Sequence, residues 1–365
     1  MRQNLRNLAP KKRRTAVRLY KKPLNLCHSE PLNLEKKMNY RKLGKTNFNI
    51  SEISLGTWQV GGKWGSGFND TTADELINTA IDNGVNFIDT ADVYENGLSE
   101  TAVGRVVRSR SERIYVATKC GRHINPHVSE GYQPKVLQKF VEDSLKRMGL
   151  ETIDLIQLHC PPTEVFYRPE IFELFDRLKD QGKILNLGVS VEKVEEALKA
   201  IEYSNVTTVQ IIFNLFRQRP SQLFFSEARK KDIGIIARVP LASGLLTGKF
   251  DAKTTFDAQD HRNFNRNGDA FDKGETFSGI DYELGLKAVE KLKALFPETT
   301  NLAPIALQWI LSFKDISCII PGASTANHVM SNLSVYDLPE LTPEKIAAMN
   351  NIYEEYIKPS VHQLW

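Results

Sequence analysis

The sequence predicts a single (β/α)8 barrel with extra helices and a long loop after its seventh strand. Three observations point there. Eight short β-branched or apolar runs recur from about residue 50 onward. The stretches between them repeat apolar residues every three or four positions, the spacing of a helix face. No GxGxxG turn follows the first run, although an open dinucleotide-binding sheet carries that signature there. Parallel strands need crossover helices to cover them, so eight buried strands joined by helices read as a barrel. A doubly wound open sheet is the alternative, because periodicity does not show closure.

In chain order, the strands are expected at Ile53 to Leu55, Val85 to Ile88, Ile114 to Ala117, Ile153 to Leu158, Ile184 to Val189, Thr207 to Ile212, Ile233 to Ala237 and Ile316 to Ile320. Helical spacing is clear in Val136, Phe140, Leu145 and Met148, and in Ile171, Leu174, Phe175 and Leu178. Residues 247 to 280 form a long polar stretch with Phe256, Phe264, Phe271 and Phe277 scattered through it. Such a length in a compact domain is a lid, a binding loop or a disordered insertion. Two helical patterns, from near Asp281 and near Thr300, precede the eighth strand, so one lies outside the barrel count. Thr342 as cap and Pro343 in the first turn announce a final helix that should pack on the barrel wall.

Hydrophobic residues are 41% and charged residues 25% of the 365, an ordinary globular balance that excludes a largely disordered or membrane-embedded chain. No apolar run approaches the roughly 18 residues of a membrane span. Cys27, Cys120, Cys160 and Cys318 lack CxxC spacing, so neither a disulfide framework nor a metal site is indicated, and a reducing, cytoplasmic setting follows. Residues 1–37 hold eleven Lys or Arg against two Glu, leaving the rest at −5 of a net +4. The basic charge therefore sits on a leader, expected to be a disordered extension before a domain spanning 38–365. It does not sit on a folded surface that would bind nucleic acid. The sequence sets no oligomeric state.

In a barrel of this kind the site lies at the C-terminal ends of the strands. Asp89 ends the second strand, Tyr94 follows five residues later, Lys119 ends the third and His159 the fourth. Alone, each has an ordinary explanation: a turn cap, a packing ring, a solvated strand end, a hydrogen-bonded core histidine. Neighbouring strands are about 5 Å apart, so the four can converge. Together they form a proton-donating site. A phenol with a pKa of about 10 is a poor acid at neutral pH, and an ammonium beside it lowers that value. Lys119 can supply the charge, Asp89 can hold the lysine, and His159 can orient a carbonyl. Such a site suits hydride addition to an aldehyde or ketone, and since no side chain donates hydride, a nicotinamide cofactor is implied.

The motifs LGTW at 55–58, GVNFIDTADVY at 84–94, SLKRMGLETIDLIQLH at 144–159, LGVS at 187–190, VPLASGLLTGK at 239–249 and IIPGAS at 319–324 resemble the aldo-keto reductase family over nearly all of residues 39–335. The resemblance implies a barrel using NADPH, NAD being second, with Tyr94 as general acid and Asp89, Lys119 and His159 as its supporting tetrad. It further implies Gly56, Thr57 and Trp58 beside the nicotinamide ribose, with Asp89 nearby, and Ser190 and Gln210 as carboxamide partners. Leu241, Ser243 and Leu245 fall in the loop over the pyrophosphate, Gly322, Ala323 and Ser324 in the adenosine-phosphate segment, and Asn332 at the adenine. Amides and a helix N-terminus near strands seven and eight suit a phosphate.

Three departures from the family pattern stand out. Val191 stands where many members have Asn. Arg238 stands where many have a ring stacked on the nicotinamide, and a guanidinium can also stack or reach a phosphate. Thr325, Asn327 and His328 stand where strongly NADP-selective relatives present an arginine, for which Arg262 or Arg266 can compensate. His123 and His127 lie in a Gly- and Pro-containing loop without a third ligand, so they line the entrance or are solvated. Trp64 and Phe68 are a candidate pocket wall.

The expected activity is reduction of a small carbonyl compound. A nicotinamide-binding regulatory or sensor subunit with little turnover is the second reading, and non-redox barrel chemistry the third.

Overall fold

The computed structural model describes residues 38–62 and 67–365. The leader at 1–37 and Trp64, both subjects of sequence expectations, lie outside the described residues.

Two short strands, β1 (Tyr40–Lys42) and β2 (Asn49–Ser51), form an antiparallel hairpin that the periodicity did not reveal. Leu43, Phe48 and Ile50 from this hairpin pack with Phe87, Ala117, Leu155, Ile236 and Cys318. Those five belong to the barrel strands, so the hairpin seals the barrel's N-terminal end. Gly44 is required at its tip: φ is +49° and a Cβ would lie 2.1 Å from the Gly234 nitrogen.

Eight parallel strands follow in sequence order: β3 (Leu55–Gly56), β4 (Phe87–Asp89), β5 (Tyr115–Cys120), β6 (Ile153–His159), β7 (Ile184–Ser190), β8 (Val206–Ile212), β9 (Gly234–Arg238) and β10 (Ile316–Ile319). Parallel bridges Ile53↔Ile319 and Gly56↔Gly322 join the last strand to the first segment. The Ser54 amide donates to Ile319 O at 2.9 Å and the Gly56 amide to Pro321 O at 3.1 Å. The edge groups of the sheet thus satisfy one another and the barrel closes, which removes the open-sheet alternative.

Helices α1 (Asp70–Asp82), α2 (Leu98–Ser109), α3 (Pro134–Met148), α4 (Pro169–Asp180), α5 (Val194–Ala200) and α6 (Phe224–Lys230) cross between successive strands. The apolar face of α4 is the predicted one, with Ile171, Leu174, Phe175 and Leu178 all buried. That of α3 is rotated. Leu137, Val141, Ser144 and Met148 are buried, whereas Val136 is exposed. Two adjacent rows of α3 both carry apolar residues at helical spacing, and only packing selects one.

The stretch after β9 is a folded lid. It contains α7 (His261–Phe264) and 3-10 turns at Lys273–Glu275 and Phe277–Gly279. Phe256 anchors it, its ring 5.2 Å from Phe250 and 5.8 Å from Phe277, while Phe264 is exposed. Both helices foreseen before the eighth strand form, α8 (Tyr282–Leu295) and α9 (Ala303–Leu311). The second packs on β10 and on α10 (Ala326–Leu333), so α8 is the one outside the barrel count. Helix α11 (Pro343–Ile352), capped by Thr342, packs on α8. It continues through a π-turn into α12 (Lys358–Val361). The last residue, Trp365, ends against the lid, its Nε1 donating to Asp272 Oδ1 at 2.9 Å.

Candidate active site

Strand register brings the ionisable groups together. Asp89 pairs with Ala117, Lys119 with Gln157, and His159 with Ser190, so side chains from neighbouring strands share one level at the barrel mouth. Lys119 Nζ donates to Asp89 Oδ1 at 2.5 Å and to Thr90 O at 2.8 Å. It also lies 3.3 Å from Tyr94 Oη and 4.9 Å from the centroid of that ring. Asp89 Oδ2 accepts from Gln157 Nε2 at 3.0 Å and Gln210 Nε2 at 2.8 Å. A buried ion pair is tolerable only when its remaining polar atoms are bonded, and the two glutamines do this. Gln157 carried no sequence signal beyond lying in a strand. Gln210 was expected as a carboxamide partner, and its own amide is engaged by Asp89.

Tyr94 opens a 3-10 turn in which Glu95 and Asn96 adopt positive φ. Its ring stacks on Trp58 at 6.1 Å and meets His159 edge-on at 6.0 Å. One sequence expectation is corrected here. Burial raises the Tyr94 pKa, and although Lys119 pulls it down, the net shift is upward. Desolvation outweighs the ammonium because the phenolate would be enclosed, so the phenol holds its proton at neutral pH. Burial also works to lower Lys119, but Asp89 and Tyr94 outweigh it and the net direction is up. Burial, with Arg122, Lys119 and Arg238 nearby, holds His159 well below the usual histidine range. A neutral imidazole follows, and its buried Nδ1 has no hydrogen-bond partner. The corner therefore offers one protonated acid, one fixed cation and one neutral ring.

From this corner a cavity of about 390 Å³ runs toward α10. Of the predicted residues, Gly56, Thr57, Trp58, Asp89, Tyr94, His159, Ser190, Gln210, Arg238, Leu241, Ser243, Gly322, His328 and Asn332 line it. Lys119 lies beneath, reaching it through Tyr94 and Asp89. Leu245 does not line it; that side chain is buried where a Cβ on Gly285 of α8 would meet it at 2.5 Å. Ser324 stands behind His328, Oγ to Nδ1 3.3 Å, and neither it nor Ala323 lines the cavity. Phe68 packs over Gly61 instead of forming a wall. Residues the sequence did not single out also line the cavity, among them Thr247, Lys249, His261, Glu275, Asn301 and Ser331. Their signal was tertiary, since the lid brings His261 and Glu275 back over the mouth.

Val191 is fully buried. Arg238 is buried, with Nη2 donating to Glu192 Oε2 at 2.7 Å and to Val191 O at 3.2 Å. Arg262 lines the cavity while paired with Asp260 at 2.5 Å. Arg266 does not line it and lies over the Tyr282 ring at 4.9 Å. Ser243 is held by the lid: its Oγ donates to Glu275 O and accepts from the Phe277 amide, both at 3.1 Å. Positive φ at Val239, Ala242 and Ser243 is a backbone cost of the sort found at ligand clamps. His123 and His127 bond Asp92 O and Tyr132 Oη and lie away from the cavity. Cys160, Glu192 and Glu275 bring ligand atoms within 4.8 Å of one another. Arg122 and Arg238 already hold the two carboxylates, which leaves little affinity for a cation.

The residues present fit a dinucleotide. The cavity reaches from the Tyr94 corner to His328, Ser331 and Asn332 of α10, Gly322 leaves open space where a Cβ would stand, and the N-terminal part of a helix favours an anion. Lys249 and Arg262 add positive charge along it.

The model of the Aldo/keto reductase family matches residues 52–354. The chain is 31% identical over 299 residues to the aldo-keto reductase YhdN of Bacillus subtilis, covering 78% of this chain and 85% of that one. It is 27% identical over 328 residues to a probable voltage-gated potassium channel subunit beta of Oryza sativa, covering 85% and 94%. Among solved structures, the glycerol dehydrogenase AKR11B4 of Gluconobacter oxydans superposes with a TM-score of 0.70 at 30% identity, covering 87% and 96%. The closed barrel and its mouth are those of an oxidoreductase class that uses nicotinamide cofactors. The chain belongs to the aldo/keto reductase family. Among the described residues, no helix is long and apolar enough to cross a membrane.

Proposed function

We propose that the protein is an NADPH-dependent reductase of small aldehydes or ketones, acting in the cytoplasm. The observation that carries this reading is the Tyr94 hydroxyl on the cavity wall, 3.3 Å from Lys119 Nζ. The cofactor supplies the hydride when bound. Tyr94 gives its proton to the carbonyl oxygen as charge develops there. Lys119, held by Asp89, stays cationic and offsets the phenolate that results. His159, neutral, donates a hydrogen bond that orients the oxygen, and Trp58 and His261 wall the substrate side. Preference for NADPH is supported by Lys249 and Arg262, because a 2′-phosphate is well recognised by cations. The likeness to a glycerol dehydrogenase makes short hydroxycarbonyls the first substrates to test.

Tyr94→Phe tests the assignment. Aldehyde reduction should fall by about 10³-fold, the scale of a lost general acid, with NADPH fluorescence quenching intact. Unchanged turnover would remove Tyr94 from the role. A cofactor-binding subunit is the second reading, supported by likeness to a probable potassium channel subunit beta. Tight NADPH binding without turnover on a broad carbonyl panel selects it.

A further inference from the structure

We propose that Glu192 is a positioning residue for the cofactor, acting through Arg238, whose guanidinium it aims along the cavity wall. This rests on the reading of Arg238 as cofactor-facing. Val191 and Arg238, two of the departures from the family pattern, lie far apart in the chain. In space they are one feature: Arg238 Nη2 donates both to Val191 O at 3.2 Å and to Glu192 Oε2 at 2.7 Å. A guanidinium that enters a nearly closed site needs a counter-charge, since burying it alone is costly. Glu192 supplies this from the loop directly after Ser190.

The loop is itself held. The amides of Glu192 and Lys193 both donate to Glu196 Oε2 at 3.0 Å, so the carboxylate is presented from a fixed backbone. The pair therefore joins the ends of β7 and β9 across β8, whose Gln210 lies between them on the cavity wall.

Among the described residues, no other carboxylate bonds Arg238 as closely. Glu275 of the lid reaches Arg238 Nη1 only at 3.8 Å and is bonded more closely by Arg122 at 2.8 Å. Burial and the neighbouring Glu275 push the Glu192 pKa up to about 8 against the pull of Arg238, so the bond from Arg238 to Oε2 is what favours the carboxylate here. Buried Arg217 also feels the charge of Glu192, but it stacks on Trp365 at 3.8 Å with no hydrogen bond to its guanidinium. Glu192 thus bonds Arg238 and not Arg217.

The test is a double-mutant cycle in the full chain with Glu192→Gln, Arg238→Gln and the double variant, read by NADPH titration of protein fluorescence. Glu192→Gln should weaken NADPH binding about tenfold, less than the full cost of breaking a buried charge pair, because Arg238 keeps its bond to Val191 O. KM for the aldehyde should stay within about twofold, since a positioning role shows as a selective effect. In the Arg238→Gln background the second change should have no further effect. Glu192→Asp, which keeps the charge on a shorter arm, should recover part of the loss and replaces Glu192→Gln if that variant does not fold. Wild-type affinity in Glu192→Gln, or an equal penalty in both backgrounds, overturns the inference alone. Failure of the wild-type chain to bind any nicotinamide nucleotide overturns the functional reading and this inference with it.

Discussion

Lys119 Nζ touches Tyr94 at two places, 3.3 Å from the hydroxyl and 4.9 Å from the ring centroid. The contact means that one ammonium serves the phenol in both protonation states: a cation over the ring before proton transfer, a counter-charge after it.

Replacing Lys119 with Met should therefore harm chemistry and folding together. Carbonyl reduction is expected to drop by about 10²- to 10⁴-fold. Asp89 is left buried without its cation, which costs about 3–5 kcal/mol when one partner of a buried pair is removed. Steady-state rates and urea midpoints check the two effects. A fully active and equally stable variant would contradict the ion pair as described.

The pH profile of reduction should carry no histidine step. His159 is held well below the usual range by burial and nearby cations, so it stays neutral as pH moves from 8 to 6. Tyr94 is raised and keeps its proton through the same window. The maximal rate is expected to be flat there and to fall only at alkaline pH, as the phenol ionises. A break near 6.5 that persists in Asp92→Asn would assign the step to a protonating His159.

Asp92 should make the protein less stable as pH rises. It is buried, neither carboxylate oxygen has a hydrogen-bond partner, and burial with Glu100 nearby raises its pKa from 3.8 to about 7. An acid whose folded pKa is raised contributes stability below its unfolded pKa and loses it as pH climbs through the folded value. Each unit of that window is worth about 1.4 kcal/mol. Asp92→Asn escapes the loss, so its melting temperature should exceed wild type increasingly from pH 4 to 7 and by a constant margin above. A pH-independent difference would show that Asp92 does not titrate this way.

Removal of residues 1–37 should leave melting temperature and activity unchanged if the domain is 38–365. The measurement is a melt and a rate for the chain begun at Met38. Loss of folding would place part of the domain in the leader.

The eight strands, their helices and the placing of Asp89, Lys119 and His159 at strand ends were legible in the linear chain because each depends on local information. A strand in a closed parallel barrel is a short apolar run, and a residue at its C-terminal end faces the mouth by topology alone. The hairpin Tyr40–Ser51 escaped notice because its strands have three residues each, too few for a period to repeat. The active rows of α3, the burial of Leu245 away from the cavity and the place of Gln157 depended on which neighbour each side chain met. The lid carried the same limitation further: nothing near His261 or Glu275 in the chain says that they return to a corner built from β4, β5 and β6. The direction of the Tyr94 shift was likewise beyond the linear chain. A lysine nearby argues for a lower pKa, and only the enclosure of the phenol, a property of the packed molecule, makes desolvation the larger effect.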